Sequence, residues 1–257
     1  MSPQRTTEWI EKTEEDVTTF QQQFKTPYRS TVFFCDWLEK QGCLTSSTRC
    51  RIVDIGAGMG ETLSYMARRF PRVDFLGIEL NQRHVERGNR MLRQVGLTNA
   101  TLVTGDLFNL GQEHRNRYEG VVSIQTLSWL PESKAPLEHL MALNPKWIAL
   151  TSLFFDGEIN ARIEIQDYTS PKRGKPYREA FYNVYSIPHV KQLFVEHGYH
   201  QFEYEPFHID IDLPRPVSPQ MGTYTVKLET GERLQLSGPL LMSWYFIVAK
   251  AEPSAAS

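Results

Sequence analysis

The chain has 257 residues, of which 40% are apolar and 23% are charged, and its formal net charge is −2. At roughly 150 residues per domain, this length predicts one large domain with insertions. The apolar fraction is enough for a core that needs no disulfides or metals. The near-neutral charge argues against a dedicated nucleic-acid binder, because neutralising phosphates requires a surplus of Lys and Arg.

The sequence shows no pattern of a membrane span, a secretion signal or a metal site. Its longest apolar run, residues 240–249, is far shorter than the roughly 20 residues that a span needs. Residues 1–23 are polar and lack the apolar stretch of a signal peptide. The three cysteines have neither disulfide-framework nor metal-binding spacing. We therefore expect a metal-independent protein of the reducing cytoplasm, with no membrane or nucleic-acid partner.

Two helices are predicted at the start of the chain. Residues 6–22 have a polar helical pattern, and residues 28–41 have an amphipathic one. Gly42 follows the second pattern and is typical of a helix end. Together they predict an N-terminal helical segment over residues 1–45.

Short apolar strands then alternate with helices between residues 51 and 152. The predicted strands are 51–56, 73–80, 100–106, 121–125 and 146–152, and the helices between them are 61–70, 82–95 and 135–143. This alternation is typical of a parallel sheet with helices on both faces. We therefore predict a doubly wound α/β fold.

The alternation stops after Ser152. Residues 153–185 show no long periodic element. The later elements are predicted as a helix at 187–197, a sixth strand at 199–207 and a seventh strand at 240–250. We treat residues 153–185 as an insertion.

A β-hairpin is predicted between the last two strands. TYTVKLE and RLQLS are joined by Thr230-Gly231, a typical hairpin turn. Residues 207–240, which contain it, form a second insertion. Since no repeat or linker divides the chain, residues 1–257 are predicted to form a single domain.

The most informative motif follows the first strand and reads Val53-Asp54-Ile55-Gly56-Ala57-Gly58-Met59-Gly60-Glu61. Alternate glycines let the backbone turn tightly and bring its N–H groups close to a ligand at the start of the next helix. A dinucleotide-binding turn would have glycine where Glu61 stands, and no G-x-x-x-x-G-K-[ST] phosphate loop is present. Asp54 favours a cationic amino group, so we predict a nucleoside-like ligand without phosphates.

The pattern Asp54-x-Gly56-x-Gly58-x-Gly60 resembles the first motif of the class I S-adenosylmethionine-dependent methyltransferases. Two further acids fit this family, because Glu79 ends the second strand and Asp106 follows the third. The resemblance implies a Rossmann-like, mostly parallel seven-stranded sheet with an antiparallel last strand. It also implies that residues 50–152 bind S-adenosylmethionine.

The resemblance also assigns individual contacts. It implies that Glu79 accepts the ribose hydroxyls, that Asp106 binds the adenine, and that Arg29 in the N-terminal cover pairs with the cofactor carboxylate. The candidate cofactor-binding residues are Arg29, Asp54, Gly56, Ala57, Gly58, Glu79, Leu80, Asp106, Leu107 and Gln125. The alternatives are a glycine turn that only joins a strand to a helix, acids that only cap helices or turns, and a helix at 28–41 that is only a packing lid.

The residues after the fourth strand indicate the type of acceptor. Residues 125–131 lack the (Asn/Asp)-Pro-Pro-(Tyr/Phe) motif shared by family members that methylate nucleic acids and protein amides. We therefore predict methyl transfer to an N or O atom of a small polar metabolite, such as a sugar, an amino sugar or a secondary metabolite. The alternatives are a methyltransferase for a protein or peptide side chain and a catalytically silent partner subunit. A monomer or a homodimer is expected.

Three residues are candidates for catalysis. Residues 153–185 leave the carboxyl end of the fifth strand, where open α/β sheets bind ligands. Asp156 is the acid nearest that strand, Tyr182 is the second choice for orienting the acceptor or taking its proton, and His189 is a further candidate base. The alternative is that residues 153–185 form a solvated surface loop and that His189 is an ordinary surface or packing residue.

Overall fold

The computed structural model describes residues 21–169, 174, 176–216 and 221–252. Apart from its last two positions, the helix predicted at residues 6–22 lies outside these residues. Residues 21–25 are helical, and the helix α1 spans Arg29–Lys40, as predicted for residues 28–41. Gly42, with a φ of +70°, ends α1, since its N–H bonds back to Glu39 as the chain turns away.

The remaining elements follow in chain order. The strands are β1 (Arg51–Ile55), β2 (Asp74–Glu79), β3 (Ala100–Thr104), β4 (Gly120–Ile124), β5 (Trp147–Ser152), β6 (Phe154–Phe155), β7 (Glu164–Asp167), β8 (Arg178–Phe181), β9 (Tyr185–Ser186), β10 (Gln201–Phe207), β11 (Thr223–Lys227), β12 (Arg233–Ser237), β13 (Leu240–Leu241) and β14 (Trp244–Lys250). The helices after α1 are α2 (Glu61–Arg69), α3 (Gln82–Gln94), α4 (Lys134–Ala142) and α5 (Ile187–Glu196).

A seven-stranded sheet in the order β3-β2-β1-β4-β5-β14-β10 forms the centre of the protein. Strands β1 to β5 pair in parallel, whereas β14 is antiparallel to both of its neighbours. The predicted doubly wound α/β fold is therefore confirmed. The strand order reverses between β1 and β4, and open sheets of this type bind ligands at the carboxyl ends of the strands next to such a reversal.

Both faces of the sheet are buried, which explains why the central strands are continuously apolar. One core joins the sheet to α1, α2 and α3, and it includes Phe34, Ile52 and Phe246. The other joins it to α4 and α5 and includes Val53 and Ile148. Successive residues of β1 thus point into opposite cores, as the period of a strand requires.

The insertion at 153–185 contains short strands that the sequence does not reveal. β7 and β8 form an antiparallel hairpin, and β6 pairs in parallel with β9. The side chains of Arg178 and Asp167 join the two strands of the hairpin by an ion pair of 2.7 Å. Strands of two to four residues are too short to produce a recognisable period.

The seventh strand predicted at 240–250 is two strands. Residues 240–241 form β13, which pairs with β12, and only residues 244–250 enter the central sheet. The Ser237 hydroxyl donates to the Met242 carbonyl over 2.9 Å, which holds the chain in a bend between the two strands. The apolar pattern runs through this bend, so the sequence alone does not reveal it.

The predicted hairpin is present as β11 and β12, with Gly231 at a φ of +89° in its turn. Together with β13 these strands form a three-stranded sheet, which we call the small sheet. The hydroxyl of Thr225 in β11 donates to the carbonyl of Ile211 over 3.0 Å, so the chain that leaves β10 lies along the small sheet. Within the described residues, no helix has the length and apolarity needed to cross a membrane.

Candidate functional site

The turn after β1 depends on its glycines. Gly56, Gly58 and Gly60 have φ values of +79°, +58° and +79°, which glycine adopts without strain. A Cβ at Gly56 would lie 2.4 Å from Oγ1 of Thr126, which follows β4. The glycine therefore allows the turn to approach the end of β4 at the point where the strand order reverses.

Asp54, near the end of β1, is a buried carboxyl that lacks a partner on one oxygen. Its side chain is only 2% exposed, and Oδ1 makes no hydrogen bond to any described residue. Burial, with Glu61 and Glu79 nearby, raises the pKa of Asp54 to about 8. A cation placed next to Oδ1 would favour the ionised carboxylate and offset the cost of its burial.

Glu79, at the end of β2, binds the glycine turn. Its Oε2 accepts from the Gly58 N–H and its Oε1 from the Asn81 N–H, both over 2.9 Å. These two bonds hold the carboxylate at the carboxyl edge of the sheet, beside the turn. Leu80, the next residue, is exposed there.

Asp106 shapes the turn after β3. Its Oδ1 accepts from the Phe108 N–H over 3.0 Å, and its Oδ2 accepts from Nδ2 of Asn109 over 2.8 Å. Leu107, in the 3-10 turn that these bonds support, packs against the core on the α4 side. The adenine-binding role of Asp106 and Leu107 stays a prediction.

Gln125 has an unusual backbone at the end of β4. Its φ is +52°, which few residues other than glycine adopt, and its N–H donates to the Thr151 carbonyl over 2.8 Å. The neighbouring strand β5 therefore holds this conformation in place. Backbone strain of this kind is concentrated at functional sites.

The start of α1 lies beside the glycine turn. Burial and the nearby Glu61 raise the pKa of Tyr28, which places Tyr28 close to the beginning of α2. Arg29 forms an ion pair with Asp210, and its guanidinium lies 5.5 Å from the centre of the Phe33 ring. The Asp210 carboxylate would therefore compete with the cofactor carboxylate that is predicted to bind Arg29.

Tyr182 belongs to a buried group of aromatic side chains at this end of the sheet. Its ring centre lies 4.9 Å from that of Trp129 and 6.3 Å from that of Trp244. Its own side chain is 2% exposed, and burial raises the pKa of the phenol well above its usual range. Tyr182 is therefore neutral near pH 7. We call Trp129, Tyr182 and Trp244 the aromatic cluster.

The other two catalytic candidates lie elsewhere. Asp156 accepts a hydrogen bond of 2.9 Å from the Tyr204 hydroxyl on β10, four strands or about 19 Å from β1. His189, half-exposed at the start of α5, lies 3.2 Å from Glu158. Neither contacts Tyr182 or the glycine turn among the described residues, and the catalytic roles of Asp156 and His189 stay predictions.

A buried polar network fixes the chain after β4, and the sequence analysis does not identify it. The hydroxyls of Ser128 and Ser152 lie 2.5 Å apart, and the Leu153 N–H donates to Ser128 Oγ over 3.0 Å. The Asn183 N–H donates to the Ser128 carbonyl, and Nδ2 of Asn183 donates to the Leu130 carbonyl, both over 2.8 Å. Trp129 follows Ser128 in the sequence and Tyr182 precedes Asn183, so the network sets the positions of both aromatic residues. Single Ser and Asn residues carry no sequence signal for such contacts.

The chemistry of this edge suits an organic ligand. It combines a glycine turn, a buried unpaired carboxyl oxygen, two further carboxylates and aromatic rings. The described residues include no group of three or more His, Cys, Asp or Glu side chains that would hold a metal ion.

Comparison with known proteins agrees with this layout. A protein family described as a methyltransferase domain matches residues 52–144, which run from β1 to the loop after α4. A tRNA (guanine-N(7)-)-methyltransferase from Leifsonia xyli subsp. xyli is 37% identical over 75 residues, which are 29% of this chain and 33% of that protein. The chain therefore spans about a third of the length of this curated relative.

Solved structures share the fold at low sequence identity. Magnesium protoporphyrin IX methyltransferase from Synechocystis PCC 6803, with bound SAM, superposes with a TM-score of 0.53 and 16% identity, covering 93% of this chain and 83% of that one. TehB from Haemophilus influenzae gives a TM-score of 0.53 at 14% identity, covering 88% and 63%. These similarities extend beyond the matched core to the β10 and β14 end of the sheet.

Proposed function

We propose that this chain, whose residues 52–144 match a family described as a methyltransferase domain, is a class I S-adenosylmethionine-dependent methyltransferase that binds S-adenosylmethionine and transfers its methyl group to a small molecule. The observation that carries the proposal is the unpaired, buried Oδ1 of Asp54 beside the glycine turn. Few buried polar atoms lack a partner in a native protein, and a cationic ligand group would supply the missing one.

The residues along the carboxyl edge suit the parts of this cofactor. Asp54 would hold the amino group. Glu79, whose carboxylate accepts from the Gly58 and Asn81 N–H groups at this edge, would accept the ribose hydroxyls. Asp106 and Leu107 would hold the adenine. When bound, S-adenosylmethionine supplies an electrophilic methyl group on a sulfonium centre.

The other residues of the site orient the acceptor and exclude water. Tyr28, before α1, lies close enough to Glu61 for that charge to raise the pKa of its phenol, and the network around Ser128 fixes the aromatic cluster at the ends of β4 and β5. Holding two reactants in line can account for several orders of magnitude in rate. Tyr182 is neutral, so it can hydrogen-bond to the acceptor without titrating near pH 7.

We infer an N or O atom of a small metabolite as the acceptor, since the side chains at this end of the sheet are buried and aromatic. Tyr182 and Trp244 are 2% and 7% exposed, and the small sheet lies against the same core. Enclosed sites lined by apolar and aromatic side chains with a few polar groups are typical for small molecules.

Cofactor binding is tested by calorimetry with S-adenosylhomocysteine and, separately, NAD. We expect S-adenosylhomocysteine to bind with a Kd of about 10 μM or tighter and NAD to give no measurable heat. Binding of NAD without binding of S-adenosylhomocysteine would contradict the proposal.

Two glycine variants provide a matched control. Gly56→Ala and Gly198→Ala both place a Cβ on a residue with positive φ, at +79° and +88°. The new Cβ at Gly56 meets Thr126 at 2.4 Å, whereas that at Gly198 meets nothing within 4 Å. Gly56→Ala should therefore lose S-adenosylhomocysteine binding, and Gly198→Ala should keep it at a similar cost in backbone strain.

A further inference from the structure

Two buried side chains near the aromatic cluster have polar atoms without partners. Trp244 and Gln235 are each 7% exposed, and neither the indole Nε1 of Trp244 nor Nε2 or Oε1 of Gln235 makes a hydrogen bond to a described residue. Each unsatisfied buried donor or acceptor costs stability. Three such atoms on two buried side chains therefore call for an explanation.

The two side chains come from the two sheets that meet at the aromatic cluster. Trp244 is part of the cluster and begins β14 of the central sheet. Gln235 lies in β12 of the small sheet, on the same face as the buried Ser237. A Cβ on the next residue, Gly238, would lie 3.4 Å from the Tyr182 ring. The small sheet thus contacts the cluster, and Gln235 lies three residues before that contact, roughly 10 Å along the strand.

The Tyr182 ring lies in the apolar core beside Trp129 and Trp244. Burial alone raises the pKa of Tyr182, without a contribution from any charged side chain of the described chain. The Tyr182 hydroxyl also has no hydrogen-bond partner among the described residues. A charged ligand would lose its hydration here without gaining an ion pair, which is costly. A flat, uncharged ring would stack on the aromatic faces.

We propose that the aromatic cluster and Gln235 form the acceptor-binding pocket and that the acceptor is an uncharged planar ring with a carbonyl or hydroxyl oxygen. The Trp244 indole, which can only donate, binds that oxygen, and the Gln235 amide binds a second polar group on the ring. This assignment rests on the proposed function and narrows its acceptor. It favours aromatic and heteroaromatic acceptors over sugars and amines.

The test uses four probes with the full chain saturated with S-adenosylhomocysteine. The planar probes are 2-naphthol and 4-hydroxyquinoline, and the non-planar ones are glucosamine and putrescine. We expect binding of the planar probes by calorimetry and none of the other two. Removing one hydrogen bond by Trp244→Phe or Gln235→Leu should weaken planar-probe binding by about fivefold or more while leaving S-adenosylhomocysteine affinity unchanged.

The control is Trp147→Phe, the same substitution at a buried tryptophan at the opposite, amino end of β5. It should change neither affinity. The unliganded Gln235→Leu protein should unfold at the same temperature as wild type or higher, because the variant removes two unsatisfied buried atoms.

The possible failures are distinguishable. If S-adenosylhomocysteine does not bind, the proposed function fails. If it binds but glucosamine or putrescine binds in place of the planar probes, the pocket assignment is overturned. If the planar probes bind equally to wild type, Trp244→Phe and Gln235→Leu, and Gln235→Leu is less stable than wild type, these groups pair with buried water and the assignment is again overturned.

Discussion

Asp54, the residue proposed to hold the amino group of the cofactor, carries a cost to the unliganded fold. Its pKa lies near 8 instead of the ordinary 3.8, so the folded protein binds a proton there that the unfolded chain releases above about pH 4. The unfolded state therefore holds fewer protons between these values, and Asp54 lowers the free energy of unfolding as the pH rises from 4 to 8.

This shift predicts that cofactor affinity depends on pH. A bound amino group stabilises the Asp54 carboxylate, so binding at pH 6 or 7 releases a proton and the affinity rises by up to about tenfold per unit towards pH 8. Calorimetry with S-adenosylhomocysteine at pH 6, 7 and 8, in two buffers of different ionisation enthalpy, measures both the affinity and the proton.

Asp54→Asn is the control for this dependence. It should bind S-adenosylhomocysteine more weakly, show no pH dependence from this site, and make the unliganded protein more stable than wild type at pH 8. An affinity of the wild-type protein that is constant from pH 6 to 8 would refute the coupling.

Glu79→Ala should have two separable effects. Loss of the carboxylate should weaken S-adenosylhomocysteine binding by tenfold or more, since each charge-assisted hydrogen bond contributes about 1.5–3 kcal/mol. It also leaves the Gly58 and Asn81 N–H groups without their acceptor, so urea unfolding should show a loss of about 1–3 kcal/mol. Unchanged affinity in the folded variant would reduce Glu79 to a structural residue of the turn.

At the scale of elements, Asp156 follows β6 and contacts β10. This contact predicts a structural role for Asp156, whereas the sequence predicts a catalytic one. The Asp156 carboxylate accepts from the exposed Tyr204 hydroxyl, and this bond raises the pKa of that phenol. Asp156→Asn should therefore lower the pKa of Tyr204 in a spectrophotometric titration and leave methyl transfer within about twofold of wild type, because no catalytic proton is involved. A hundredfold loss of methyl transfer would instead identify Asp156 as the catalytic base.

The elements that sequence reasoning identifies well are those with a long period or a glycine turn. Strands β1 to β5 and their helices repeat apolar residues over five or more positions, and the motif from Asp54 to Gly60 marks its turn by composition. The two-residue β6 and β9 and the break between β13 and β14 have neither signal. They depend on contacts across the fold, such as that between Ser237 and Met242.

At the scale of the whole molecule, the cofactor side of the site was more accessible to sequence analysis than the acceptor side. The candidates Asp54, Glu79 and Asp106 lie at or just after the carboxyl ends of three parallel strands, so topology alone brings them to one edge. Trp129, Gln235 and Trp244 come from three distant segments, one of them within an apolar strand. Their arrangement depends on how the small sheet packs against the core, which no spacing in the sequence encodes.

The ion pair between Arg29 and Asp210 joins the two sides of the molecule. Arg29 begins the helix that lies beside the glycine turn, and Asp210 lies between β10 and the small sheet. The ion pair thus connects the start of α1 to the segment between β10 and the small sheet. A ligand carboxylate that binds Arg29 in place of Asp210 would remove this connection. Because the two side chains are 42% and 74% exposed, breaking the ion pair would cost the fold little, so Arg29 is available to a ligand carboxylate.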